Sequence, residues 1–209
     1  SMNTVAVKTL SYVGADKGAD FARRFGINID SEDETLALAL GATKNGVSLK
    51  EAAQAYSALA NLGVKRNLGF VKMITDGNGG VIYKNNAEET RVISEQTAYI
   101  ITDILMDTAK DGTAKVLASL PFDVASKTGT VGKDFNTDAW NLSYTTKHTL
   151  AVWHGGKETQ ETGGGGATRC AKYIWSNIYG ADTPSRFSPP EGILEAEIDL
   201  YALEYENRL

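Results

Sequence analysis

The 209-residue sequence holds one cysteine, Cys170, so no intramolecular disulfide can form and no zinc site can rest on several thiolates. Its only histidines are His148 and His154, which removes the material for most histidine metal sites and histidine-dependent triads. No apolar run approaches the ~20 residues that a membrane-crossing helix needs. No basic-then-apolar leader stands at the start. Positive charge is scarce as well. Lys and Arg number 21 against 26 Asp and Glu, a net charge of −5, and that balance offers no general basic face for nucleic acid phosphates. Proline occurs at Pro121 and then only at Pro184, Pro189 and Pro190, where it breaks the chain into an extended tail.

What is present is a globular composition. Apolar residues make up 42% and charged residues 22%, enough to bury a core and contrary to disorder along the whole chain. The length suits one sizeable domain, or one domain plus an appendage. Glycine is abundant at 21 residues, four of them together at Gly163 to Gly166.

Periodicity then predicts the elements. Ser1 to Leu10 reads as a loop running into a short helix. Asp16 to Phe25 reads as a helix with Phe21, Ala22 and Phe25 on one face, stopped by Gly26. Ser48 and Glu51 form a capping box, and Leu49, Ala52, Ala53, Tyr56, Leu59 and Ala60 follow at helical spacing until Gly63. Phe70 to Thr75 and Val81 to Tyr83 flank Asp76-Gly77-Asn78-Gly79-Gly80, a hairpin signal. Ser94 caps a long helix to about Lys110, with Ile101, Ile104, Leu105 and Thr108 expected inward. Phe122 to Thr130, Asp138 to Tyr144 and Thr149 to His154 read as three consecutive strands. Their short polar links predict antiparallel pairing. Ala167 to Tyr179 reads as a helix with Ile174, Trp175 and Ile178 inward, and Gly192 to Asp199 as one more edge strand.

Several residues invite sharper readings and receive plain ones. Trp140, Trp153 and Trp175 are expected to pack in the core or on the sheet. His154 is expected at a rim, and Cys170 as an inert small hydrophobe. Ser31-Glu32-Asp33-Glu34 reads as a solvated helix start. The run Gly163 to Gly166 lacks the Lys-Ser/Thr of a nucleotide loop and reads as a flexible flap.

The informative segment is Ala125-Ser126-Lys127-Thr128-Gly129-Thr130. On a strand, Lys127 and Gly129 point to one side and Thr128 and Thr130 to the other. A lysine charge beside open glycine backbone, with threonine hydroxyls near, suits an extended, anionic, peptide-like ligand laid along a strand edge. On these residues alone a routine surface strand is the commoner explanation. The order of the surrounding segments changes that balance. Lys-Thr-Gly-Thr is followed by a polar turn, Asp138-Ala139-Trp140 and Leu150-Ala151-Val152-Trp153. Upstream stand Ser1-Met2-Asn3, Leu40-Gly41, Asn45-Gly46-Val47-Ser48 and Ala53-Gln54-Ala55-Tyr56. The glycine run before a helix completes the series. In this order, over nearly the whole chain, the sequence resembles the transpeptidase domain of penicillin-binding proteins, the bifunctional class A members above all.

The resemblance implies an α/β fold of the α+β type, an antiparallel sheet flanked by helices, incomplete at its N-terminus. Residues 1–183 would be the C-terminal portion of the transpeptidase domain and 184–209 an extended tail. It implies an active-site serine acyltransferase with Ser-x-x-Lys, Ser-x-Asn and Lys-Thr-Gly motifs. Ser1 and Asn3 match the second motif, and Lys127, Thr128 and Gly129 the third. By that likeness Ser1 would relay a proton to the leaving amine and Asn3 would bond the substrate backbone. Lys127 would orient Ser1 and attract the substrate carboxylate, which Thr128 and Thr130 would bind. The Thr130 N–H would be one oxyanion-hole donor.

No serine in the sequence has a lysine three positions on, so the first motif is absent and the fragment alone is expected to be inactive. The implied partners are a peptidoglycan stem peptide, β-lactam antibiotics and the upstream part of the same domain, with no nucleic acid and no membrane contact by these residues. No metal or organic cofactor is implied. The parent would work outside the cytoplasmic membrane, anchored by an N-terminal segment absent here. Two alternatives stay open. One is a non-catalytic peptide- or β-lactam-binding module of the same fold. The other is an N-terminal-nucleophile hydrolase using Ser1, a class that needs its first residue at a strand start.

Overall fold

A computed structural model describes residues 1–132, 135–156 and 163–196. Two short helices open the chain, α1 (Asn3–Val13) and α2 (Ala15–Arg24), separated by Gly14 at φ 99°. Phe25 is buried after α2, while Phe21, expected inward, stays exposed with its ring 5.3 Å from that of Phe25. A 3₁₀ turn at Ser31–Asp33 follows. Asp33 departs from the solvated start expected for this acidic run. It is buried because its carboxylate accepts backbone N–H groups, from Lys44 at 2.8 Å and Asp30 at 3.3 Å.

Helix α3 (Leu49–Ala60) begins at the predicted capping box. Ser48 Oγ accepts the Glu51 N–H at 3.2 Å, and Glu51 Oε2 accepts the Ser48 N–H at 2.8 Å. The Ser48 hydroxyl also donates to Glu51 Oε2 at 2.6 Å, and that bond together with the Ser48 N–H holds the Glu51 carboxyl below its ordinary pKa. Gly63 ends the turn at φ 86°, where an added Cβ would lie 2.3 Å from the Ile93 carbonyl oxygen. Strands β1 (Val64–Arg66), β2 (Met73–Thr75), β3 (Val81–Lys84) and β4 (Glu89–Arg91) form two antiparallel pairs, β1 with β4 and β2 with β3. The predicted hairpin is therefore present, but it starts at Met73 rather than Phe70. The β1–β4 pair was not legible, because three-residue strands carrying Lys65, Arg66, Glu89 and Arg91 show no apolar alternation.

Helix α4 (Glu95–Lys110) is capped by Ser94, whose Oγ accepts the Thr97 N–H at 3.1 Å. Its inner face differs from the expected one. Ala98, Thr102, Leu105 and Ala109 are buried, while Ile101 and Ile104 are exposed. Small side chains allow close approach to the sheet, and the Thr102 hydroxyl finds partners in the Ala98 carbonyl and the Tyr144 hydroxyl.

The main sheet comprises β5 (Ala125–Val131), β6 (Asp138–Tyr144) and β7 (Thr149–Gly155), antiparallel and in that order. The register sets Lys127 opposite Leu142, Gly129 opposite Trp140 and Trp140 opposite Trp153. Helix α5 (Gly166–Ile178) packs Ala167, Ala171 and Trp175 onto Ala139 and Val152. Ile178, expected inward, is exposed, and the next residue, Tyr179, is buried in its place. Tyr179 stacks on Trp175 with centroids 5.8 Å apart and pairs its hydroxyl with Thr145 at 2.7 Å. Trp175 is buried as expected and Trp140 half-buried. Trp153 packs on the sheet, its ring 6.5 Å from that of Trp140, and stays exposed with its indole N–H donating to Asp138 Oδ1 at 2.8 Å. Cys170 is exposed on α5, not packed as a small hydrophobe.

The sheet is thus flanked by α3 and α4 on one side and α5 on the other. Residues after Gly180 return across its end. Phe187 meets Tyr144 edge-on at 5.8 Å, and the Gln96 side chain donates to the Glu191 carbonyl at 2.8 Å. Residues 192–196 form no strand, and 197–199 of the predicted edge strand lie outside the described residues. Among the described residues no helix is long and apolar enough to cross a membrane.

Candidate active site

Strand β5 stands at one end of the main sheet and pairs only with β6 among the described strands, so its outer edge is open to a ligand strand. Lys127 lies near its middle. The ammonium Nζ donates to Ser1 Oγ at 3.1 Å and to its neighbour's carbonyl, Thr128 O, at 2.7 Å. The first contact joins residues 126 positions apart. Lys127 is half-buried, and desolvation pulls its pKa below the ordinary value of 10.5. The Lys127 amine is thus aimed at a hydroxyl.

Ser1 is exposed and precedes α1, whose first residue is Asn3. Asn3 is exposed at that helix start. Because Ser1 leads into a helix, the strand start required of an N-terminal nucleophile is not there. Thr128 is half-buried, with its Oγ1 2.7 Å from Thr113 Oγ1 in the turn after α4. Thr130 is exposed farther along the strand. At Gly129 an added Cβ would lie 3.3 Å from Trp140 Cβ, so glycine relieves crowding across the strand pair.

The glycine run comes back to the same place. A Cβ on Gly164 would sit 3.5 Å from Thr130 Cγ2, and one on Gly166 would press against His154 Nδ1 at 2.4 Å. Gly166 is already the first residue of α5, so the run, read from sequence as a flap, ends as a helix start. His154 is exposed beside it, as a rim residue.

Behind β5 lies a buried polar group that the sequence did not disclose. The Asn141 amide donates to Ser126 Oγ at 3.0 Å and to Thr168 Oγ1 at 3.4 Å. Ser143 donates to Asn141 Oδ1 at 2.9 Å, and the Trp175 indole N–H donates to Ser143 Oγ at 2.9 Å. These bonds tie the residue before Lys127 to α5 through the middle strand. Thr113 was likewise invisible, since it lies in a turn 15 positions before its partner. Nothing in the local sequence distinguishes it from a routine turn threonine. Among the described residues no group of three His, Cys, Asp or Glu is placed to hold a metal.

The described residues thus place a lysine-bearing end strand of a helix-flanked antiparallel sheet against Ser1. The family described as penicillin binding protein transpeptidase domain matches residues 1–175, and the chain belongs to that family. Penicillin-binding protein 1F of Bacillus subtilis is 34% identical over 206 residues, covering 94% of this chain and 28% of the relative. The chain thus spans about a quarter of the length of the curated relatives it matches. The crystal structure of penicillin-binding protein 1A from Haemophilus influenzae superposes with a TM-score of 0.78 at 21% identity, over 94% of this chain and 36% of that one. Penicillin-binding protein A from Mycobacterium tuberculosis, solved as an imipenem acyl-enzyme complex, superposes with a TM-score of 0.66 at 21% identity, over 83% and 43%. The likeness to these structures extends the expected fold to the described residues.

Proposed function

We propose that this chain supplies the proton-relay and carboxylate-binding half of a peptidoglycan D,D-transpeptidase site, with residues 1–183 as the domain portion and 184–209 as its tail. The observation that carries the reading is the Lys127 Nζ to Ser1 Oγ bond of 3.1 Å between the two motifs. A proton relay and the charge that orients it must lie within hydrogen-bond reach. In the parent enzyme a Ser-x-x-Lys serine, which these 209 residues do not contain, attacks the penultimate D-alanine carbonyl of a stem peptide. The Ser-x-x-Lys lysine takes the attacking hydroxyl's proton, and Ser1 relays a proton onward to the D-alanine amine as the peptide C–N bond breaks. A neighbouring peptide's amine then takes the acyl group from the serine. Lys127, Thr128 and Thr130 bind the terminal carboxylate, and Asn3 bonds the substrate backbone. A β-lactam presents the same carboxylate and is opened by the same serine. The imipenem acyl-enzyme complex of the Mycobacterium tuberculosis neighbour supports that class of ligand. The parent works on the outer side of the cytoplasmic membrane, where its substrate lies.

The test uses a fluorescent penicillin, read by gel fluorescence and intact mass. The 209-residue chain should form no adduct, because removing a serine nucleophile costs ~10⁶-fold in turnover in another serine enzyme. A chain extended upstream through Ser-x-x-Lys should label. Lys127→Ala in the extended chain should slow labelling on the order of 100-fold, the scale of the proton-transfer step whose relay Lys127 orients. Carboxylate capture should also weaken as pH rises through the lowered Lys127 pKa, since the charge is lost there. A stoichiometric penicilloyl mass on the 209-residue chain, at Ser1 or elsewhere, sinks the proposal.

A further inference from the structure

Thr113 belongs to none of the motifs, yet its Oγ1 lies 2.7 Å from Thr128 Oγ1. The turn that carries it is held on both sides. A Cβ on Gly112 would come within 2.8 Å of Thr108 Cα, so that position accepts only glycine without rearrangement. Ala114 is fully buried, and its N–H donates to the Thr108 carbonyl at 3.1 Å. The Lys115 N–H closes the turn on the Gly112 carbonyl at 3.2 Å. Thr113 is therefore an exposed side chain on a firmly placed backbone. Thr128 is gripped from its other end too, because its carbonyl accepts from Lys127 Nζ at 2.7 Å.

We propose that Thr113 is a positioning residue for the carboxylate subsite: its hydroxyl donates to Thr128 Oγ1 and leaves the Thr128 proton directed at the substrate carboxylate. The proposal rests on reading Lys127 to Thr130 as the carboxylate-binding strand. The direction of the bond follows from counting protons. A hydroxyl has one proton and two lone pairs, and an ionised carboxylate only accepts. When Thr128 donates its proton to a carboxylate, its oxygen can only accept from Thr113. Accepting that bond also polarises the Thr128 O–H and strengthens its donation. Thr113 thus selects one Thr128 rotamer, and Thr128 in turn meets the ligand. The sequence signal is absent because the two residues sit on different elements.

The test uses the 209-residue chain and two readouts by NMR. Three-bond couplings to Thr128 Cγ2 report its χ1 rotamer. Titration with a peptide ending in D-Ala-D-Ala, as free carboxylate and as carboxamide, reports carboxylate preference. Wild type and Thr113→Ser should show one Thr128 rotamer and prefer the carboxylate. Thr113→Val should average the rotamer and lower the preference about three- to tenfold, the worth of one hydrogen bond. Both changes together support the proposal. Either without the other, or neither, overturns it. Lys127→Ala separates the two layers. If wild type shows no carboxylate preference, or Lys127→Ala leaves it intact, the reading of the strand fails and the proposal falls with it. If that preference behaves as expected and Thr113→Val changes nothing, Thr113 alone has been misassigned.

Discussion

The β5–β7 sheet and the β2–β3 hairpin are both antiparallel and both announced by apolar strands around polar turns, but only the sheet is buried. Trp175 is 1% exposed against it, and Ser126, Asn141 and Ser143 are fully enclosed between strands and α5. In the hairpin every strand residue is exposed, Ile82 at 68%, and Phe70 just before it at 92%. Its turn is nonetheless well formed. Asp76 Oδ1 accepts the Asn78 and Gly80 N–H groups, each at 2.8 Å. Local turn chemistry is thus enough to shape a hairpin. A two-stranded unit gains little stability until a third layer covers it. The same apolar residues that make a core in one place are a bare surface in the other.

Mutations can break that comparison. The largest effect is expected at Trp175→Ala, which removes a buried ring and the indole N–H bonded to Ser143. Urea unfolding should show a loss of about 3–5 kcal/mol. A loss under 1 kcal/mol would mean that α5 contributes no more than the hairpin does. Asn141→Leu comes next. It keeps the volume and strands the hydroxyls of Ser126 and Ser143, at a cost of about 2–3 kcal/mol by the same measurement. An unchanged midpoint would show that the polar group is not a constraint on β5. The smallest effect is expected at Ile82→Ser on the hairpin, within about 0.5 kcal/mol, as for most surface positions. A loss above 2 kcal/mol there would reveal that the hairpin is covered in solution.

Legibility in the sequence follows the same division. The capping box at Ser48 and Glu51, the Ser94 cap, the Asp76 to Gly80 turn and the three main strands were readable because each depends on neighbours within a few positions. The face of α4 was not. Helical spacing permits more than one stripe, and the choice of Ala98, Thr102, Leu105 and Ala109 over Ile101 and Ile104 depends on how closely the sheet approaches. Trp153 packs on the sheet as expected, but its exposure was not readable for a related reason. Its bulk predicts burial, but no described element covers that end of the strand pair, and Asp138 satisfies its N–H at the surface. Of the site, Lys127 to Thr130 and the Ser1–Asn3 pair were visible as motifs. Asn141 and Thr113 carry no motif and were missed.

By itself, then, the sequence determined the helices, the hairpin and the antiparallel order of the main strands, and the family to which the motifs belong. These rest on short-range periodicity, caps and residue spacing, all of which act within one segment of chain. The tertiary structure supplied the Lys127–Ser1 contact that the motifs implied, and it alone decided that Thr113 meets Thr128 and that Asn141 ties β5 to α5. Each of those pairs is made by packing elements that the chain separates, and a hydrogen bond of about 3 Å exists only once the core beneath it has fixed both ends.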